Sequence, residues 1–153
     1  LTVQVALDGA VYWEKPANFH SKHDIAGCFI EYKNRVLFLH RQEDKTEGNC
    51  WGVPGGKVKR NESLRMAINR EVFEETGYDI SNQPLVFLGT AYIKGPANDY
   101  VYHMFSYKPA EYPGDVKINF FEHKGYTWVT PQDALTMNLM SDEDFCVNFY
   151  INQ

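Results

Sequence analysis

Three glutamates, Glu71, Glu74 and Glu75, stand at i, i+3 and i+4 in the run Arg70-Glu-Val-Phe-Glu-Glu75. On a helix, at about 100° per residue, their carboxylates fall within an arc of about 100°. Ile68 and Val72 lie beside that arc and can bury the neighbouring surface. Carboxylates so close repel one another, and like charges on adjacent turns destabilise an isolated helix. Solvent relieves the repulsion on an ordinary acidic face. A hard divalent cation relieves it too, because Mg²⁺ and Mn²⁺ take oxygen ligands and keep waters or substrate phosphates in the rest of their shell. The E-x-x-E-E spacing alone supports both outcomes equally.

The elements that must position these residues are legible around them. Ser63–Thr76 has Leu64, Ala67, Ile68 and Val72 at helical spacing, and Gly77 stands where a C-terminal cap belongs. Upstream, Ile25–Tyr32 and Arg35–Arg41 are apolar, β-prone runs separated by Lys33-Asn34, the pattern of a hairpin. The polar stretch Gln42–Asn49 predicts a loop, and Trp51–Pro54 leads into Gly55-Gly56, where backbone can turn sharply and approach a ligand. Strands are expected near Val3–Leu7, Ala10–Trp13, Leu85–Ile93, Tyr100–Tyr107 and Tyr126–Val129. A loop is expected around Lys94–Asp99, and irregular chain over Lys108–Phe121. Thr130-Pro131 starts a helix with Pro in its first turn, and Asp142–Tyr150 reads as a last helix. Strands, one strong helix, more strands and late helices predict an α/β fold, a mixed sheet with helices on its faces.

Composition narrows the function classes. A chain of 153 residues, 44% hydrophobic and 23% charged, has the size and make-up of one globular enzyme domain, and we expect residues 1–153 to form a single one. No repeat or linker divides it. No apolar run approaches the roughly 20 residues of a membrane span, and no signal-peptide pattern opens the chain. It does not begin with Met, which points to a native terminus farther upstream. The net charge of -5 argues against sequence-independent nucleic-acid binding, which needs a basic surface. Cys28, Cys50 and Cys146 are widely spaced and form no C-x-x-C pair, so they read as free thiols of a reducing, cytoplasmic compartment. No membrane partner is expected, and the oligomeric state is not encoded in any readable pattern.

Beyond the three glutamates, the fixed positions extend to Gly56-x5-Glu62-x7-Arg70-Glu71-Val72-x-Glu74-Glu75-x-Gly77-Tyr78. At average residue usage that set arises by chance with a probability of about 10⁻⁷. It resembles the signature box of the Nudix hydrolases, with Tyr78 a slightly polar choice at the last apolar position. Trp51-Gly-Val-Pro-Gly-Gly56 is similar to the family's entry into this loop, and Trp128-Val-Thr-Pro-Gln-Asp-Ala-Leu135 to its late strand and short helix. The resemblance implies an α/β/α sandwich with a mixed β-sheet between helices.

Carried over residue by residue, it makes Glu71, Glu74 and Glu75 metal ligands, with the Gly55 carbonyl a further one, and Mg²⁺ (or Mn²⁺) the cofactor. Arg70 would hold a box carboxylate through a bidentate pair, which suits the planar guanidinium. Glu62 would open the helix in a structural or catalytic role near its positive end. Gly56 and Gly77 would serve backbone geometry. Glu122 stands six residues before Trp128, where MutT-like members carry another acidic ligand; the alternative is a surface glutamate. Arg41 stands 15 residues before Gly56, where those members carry a substrate-facing arginine, and an exposed strand-end arginine is the equal alternative. Setting aside Glu62, Glu71, Glu74, Glu75 and Glu122 leaves a chain without net charge. An acidic pocket would repel polyphosphate until cations invert its potential.

Other residues carry weaker signals. His20-Ser-Lys-His23 has a ligand-like spacing but precedes the core and reads as a flexible surface stretch. Cys28, inside an apolar strand, reads as a packed thiol. Tyr92, Tyr100, Tyr102, His103 and Phe105 suit either base stacking or sheet core.

The implied reaction is hydrolysis of a phosphoanhydride in a nucleoside diphosphate linked to another group, with Glu71 the candidate general base and Glu122 its rival. Nucleoside triphosphates, cleaved to monophosphate and pyrophosphate, are the leading substrates; ADP-ribose or another nucleotide sugar is the runner-up. ADP-ribose hydrolases tend to carry a proline about 15 residues after the box, and position 93 is Ile. Dinucleoside polyphosphate hydrolases tend to carry a tyrosine near positions 94–96, which are Lys, Gly and Pro here. The coenzyme A hydrolase pattern lacks its second arginine. An inactive nucleotide-binding module is less favoured, because the box is intact.

Overall fold

The computed structural model describes residues 3–5, 10–95 and 98–153. In chain order the strands are β1 (Val3–Val5), β2 (Ala10–Tyr12), β3 (Ser21–Tyr32), β4 (Arg35–Arg41), β5 (Trp51–Gly52) and β6 (Gly55–Lys57). After helix α1 (Leu64–Thr76) come β7 (Val86–Lys94), β8 (Asp99–Tyr107) and β9 (His123–Val129), then helices α2 (Pro131–Ala134) and α3 (Glu143–Ile151).

Lys33 and Asn34 have φ angles of 50° and 64°, the left-handed pair that a two-residue type I′ hairpin turn requires. They join β3 to β4, but the two strands pair only beside the turn, at Glu31↔Val36 and Tyr32↔Arg35. Beyond it they part. β3 continues with β6 antiparallel and with β8 parallel. β4 pairs instead with β5 and β9, both antiparallel. On the far side, β7 lies antiparallel to β8, and β2 and β1 extend the edge. The sheet is therefore mixed, and it is split down the middle between the outer ends of β3 and β4.

Alternation along the strands builds two cores. Ala26, Cys28 and Ile30 of β3 and Leu37 and Leu39 of β4 pack with Ile68 and Val72 of α1. Phe29, Val36, Phe38, Tyr102 and Met104 face the other way, onto Ala134 of α2 and Cys146, Val147 and Tyr150 of α3. Each strand thus sends alternate residues to opposite faces. One helix covers one face and two cover the other, an α/β/α sandwich.

Several element boundaries differ from expectation. β3 starts at Ser21 rather than Ile25, so Ser21–His23 of the stretch expected to be flexible forms its exposed end, paired to β8 at Ser21↔Asp99 and His23↔Tyr100. β9 starts at His123 rather than Tyr126, because Arg41 at the end of β4 offers it a partner. Trp51–Gly52 and Gly55–Lys57 are short strands recruited by β4 and β3, a tertiary effect with no local period. Residues 6–9, where the first expected strand ends, lie outside the described residues.

Candidate active site

Ser63 caps α1 by accepting a hydrogen bond from the Met66 amide at 3.1 Å, and Gly77 closes it in the left-handed conformation, φ 80°. Glu62, one residue before the cap, accepts from the Lys59 amide at 2.7 Å. Arg70 meets the same carboxylate with a two-pronged pair, Nε to Oε2 at 2.8 Å and a terminal nitrogen to Oε1 at 2.9 Å. Another terminal nitrogen reaches Glu71 Oε1 at 2.8 Å, and the guanidinium also donates to the Lys57 carbonyl. Arg70 therefore stitches the loop before α1 to the helix itself. Its hydrogen bonds hold Glu62 down at a pKa of about 2, and charge assistance from both glutamates raises the pKa of Arg70 in turn.

Glu75 is only 5% exposed and lies under β6, where the Gly55 amide donates to its Oε1 at 2.7 Å. Gly55 thus touches the site through its N–H. A side chain at Gly55 would run into the Ala26 carbonyl oxygen of β3. A Cβ at Gly56 would lie 2.5 Å from the carboxyl carbon of Glu71. These two glycines let the strand pass between β3 and the acidic helix face. Burial pushes the Glu75 carboxyl well above the usual range, with Glu71 and Glu122 adding repulsion. Glu71 is likewise raised by burial, against the pull of Arg70. Glu74 is half exposed and 3.4 Å from Arg70.

The opposing element is the turn before β9. The Glu122 and His123 amides both donate to the Asn119 carbonyl, and the Glu122 carbonyl accepts from the Gln42 amide at 2.9 Å, which fixes the turn against the end of β4. Ligand-type atoms of Glu75, Glu122 and His123 lie within 4.8 Å of one another. His123 is buried, and its Nδ1, 3.9 Å from Glu75 Oε2, has no hydrogen-bond partner among the described residues. Burial, with Arg41 and His40 nearby, pushes its pKa down to about 4, so the imidazole is neutral at pH 7. Arg41 anchors its Nε on the Thr46 carbonyl at 2.8 Å, and it lines the same cavity as Glu75.

That cavity, about 450 Å³, occupies the split in the sheet. Gly55, Gly56, Glu75 and His123 line one part of it; Val53, Ile93, Tyr100, Tyr102, Met140 and Glu143 line another. It therefore runs from Glu75 of α1 to Glu143 and Cys146 at the start of α3. Its edge is tied shut by Trp51, whose amide and carbonyl bond Asn138 and Met140, and by Glu47, which accepts from the Ser141 amide at 2.7 Å.

Residues 21–147 match the sequence profile of the NUDIX domain. The chain belongs to the Nudix family. It is a hydrolase of phosphorus-containing anhydrides. Among its relatives is a CTP pyrophosphohydrolase of Escherichia coli, 25% identical over 73% of this chain and 78% of that protein. An uncharacterised Nudix hydrolase of Bacillus subtilis is 32% identical over 82% of this chain and 77% of that one. The crystal structure of a MutT protein from Methanosarcina mazei superposes with a TM-score of 0.71, at 28% identity over 85% of this chain and 91% of that chain.

Nudix enzymes work with a divalent cation, and the donor set here fits one: several carboxylates with a neutral, buried imidazole nitrogen left unpartnered beside them. Of the residues singled out from the sequence, the fold gathers Gly55, Gly56, Glu71, Glu75 and Glu122 around one spot. Arg70 and Glu62 lie behind them, Arg41 lies across the cavity, Glu74 sits at the exposed rim, and Gly77 serves only the helix end. Sequence reasoning missed His123, which stands in the cluster, and Glu143, which lines the cavity. Adjacency to Glu122 is the only local signal for His123. Nothing local marks Glu143, which one more turn of an amphipathic helix would explain.

Proposed function

We propose that this Nudix hydrolase cleaves nucleoside triphosphates to monophosphate and pyrophosphate with Mg²⁺, Mn²⁺ serving in its place, in the reducing cytoplasm that its three free thiols suit. One observation carries the reading: a single cavity joins an acidic cluster, suited to cation-bound phosphates, to a chamber walled by Tyr100, Tyr102, Val53 and Ile93, suited to a flat base. Kinship with a CTP pyrophosphohydrolase over most of both chains supports it.

Glu71, Glu74, Glu75 and Glu122, with the Gly55 carbonyl, are the proposed ligands. The chemistry a cation held there would supply is neutralisation of phosphate oxygens and a lowered pKa for an attacking water. Glu71 takes the water's proton, and Glu122 is its rival for that role. Arg70 fixes Glu71 from behind while Glu62 fixes Arg70, so the base has one orientation. Arg41 meets the phosphate chain from the side opposite α1.

The test is a panel of the four common nucleoside triphosphates, ADP-ribose and a dinucleoside tetraphosphate, each with Mg²⁺ and with excess chelator, with products identified. Pyrophosphate and a monophosphate from the triphosphates, abolished by chelator, is the expected result. Preferential cleavage of ADP-ribose would move the substrate to the nucleotide-sugar class, and undiminished turnover in chelator would remove the metal mechanism.

A further inference from the structure

The glutamates of the box and the Gly55 carbonyl are oxygen donors, the set that a hard cation prefers. The turn before β9 adds a donor of another kind. His123 is only 4% exposed, and its Nδ1 has no hydrogen-bond partner among the described residues. A buried ring nitrogen left without a partner is a cost to folding. The oxygen facing it, Glu75 Oε2, stands 3.9 Å away, too far for a hydrogen bond. The other oxygen of Glu75 is already engaged by the Gly55 amide.

Two donors that share one ion, at bonds of about 2.0–2.2 Å, stand at most about 4.4 Å apart. The gap between His123 and Glu75 lies inside that limit, a spacing for a shared ion and not for a direct bond. Glu122 completes the group, whose ligand atoms all lie within 4.8 Å, and its partly exposed side chain can turn in by the small remainder.

An irregularity in the sheet puts the imidazole there. Directly opposed residues of antiparallel strands share a face, and the pairs Leu37↔Trp128 and Leu39↔Tyr126 stand on the α1 side. Unbroken alternation would next send Lys124 to that side, as a cation among the acids. The register shifts between His40 and Arg41, so Arg41 is opposed by His123 instead. Lys124 bonds the Asn49 side chain. Bulges beside active sites re-aim side chains in this way.

We infer that His123 is a nitrogen ligand of the catalytic cation and biases this centre toward a borderline transition-metal ion, Mn²⁺ or Co²⁺, against Mg²⁺. This rests on the metal-dependent reading above. Mg²⁺ favours oxygen ligands in a near-ideal octahedron, whereas imidazole suits the transition metals and affinity rises from Mn²⁺ to Co²⁺. The nitrogen thus decides which cation the chain retains when several compete.

The experiment loads the metal-free protein with Mn²⁺ and reads nitrogen couplings to the ion by pulsed electron paramagnetic resonance. Wild type should show an imidazole coupling, and His123→Gln at saturating Mn²⁺ should lose it. Calorimetric titration of both proteins with Mg²⁺, Mn²⁺ and Co²⁺ gives the selectivity. His123→Gln should weaken Mn²⁺ and Co²⁺ by about tenfold or more, at least what losing a group behind a ligand costs, and Mg²⁺ far less. A merely structural histidine would weaken all three together. The wild-type spectrum needs no variant, so it decides the matter even where His123→Gln fails to fold. Bound Mn²⁺ with oxygen ligands alone, or an equal loss for the three ions, would overturn the inference and leave the hydrolase reading standing. A wild type that binds no divalent cation would overturn both.

Discussion

Arg70 touches carboxylates that have different work to do. Its pair with Glu62 ties the loop before α1 to the helix and its bond to Glu71 reaches the proposed base, so the two bonds are separable by experiment. Glu62 is held at about 2, below its ordinary 4.5, so the stability it adds is fully present above pH 4.5 and is lost as pH falls through 2. Glu62→Gln should therefore melt below wild type at neutral pH, and the gap should close between those two values; thermal melts across an acid series check this, and a gap indifferent to pH would deny the ion pair its role. Arg70→Ala should lower kcat by about 10- to 100-fold, the usual loss when a group that orients a metal-site ligand is removed. Glu75→Gln should lose more, because Glu75 stands at the centre of the cluster with Glu122 and His123. Steady-state rates at saturating Mg²⁺ rank the two, and a Glu75 variant faster than the Arg70 variant would reverse the assignment.

At the scale of elements, β6 shows how tightly backbone and side chain are fitted. A methyl at Gly55 meets the backbone of β3, whereas the nearest atoms to a methyl at Gly56 are those of the Glu71 side-chain carboxylate. Gly55→Ala should therefore cost about 1–3 kcal/mol of stability, the range for overpacking. Gly56→Ala should melt closer to wild type and yet lose most activity, because the displaced group is the candidate base. Denaturant unfolding and turnover measured on both variants separate these outcomes. The box helix was legible in the sequence to within a residue, because cap, period and terminal glycine agree. The β3–β4 hairpin was legible for the same reason, two apolar runs around a two-residue turn. The short strands β5 and β6 were not, since long neighbours recruit them, and neither was the early start of β9, which put His123 into the site. Glu122 was legible only through its spacing to Trp128. What places its carboxylate near Glu75 is the turn bonded to Gln42, a contact between distant parts of the chain that no periodicity carries.

For the whole molecule, cation binding and folding are linked. Buried carboxylates that resist ionisation in the free protein become favourable once a cation sits among them, so Mg²⁺ or Mn²⁺ should raise the melting temperature. At a hundred times the dissociation constant the gain is about 2.7 kcal/mol. Melts with and without metal should show it in wild type and much reduced in Glu75→Gln; an equal shift in both would place the binding elsewhere. The parting of β3 and β4 has a consequence for how such a protein can change over generations. The residues proposed for bond cleavage come from α1, β6 and the turn before β9, whereas those facing the far chamber come from β8 and α3. Substitutions on distant, separately packed layers combine almost independently. Lineages can therefore exchange one substrate for another by drift around α3 while the hydrolytic layer stays under unbroken selection.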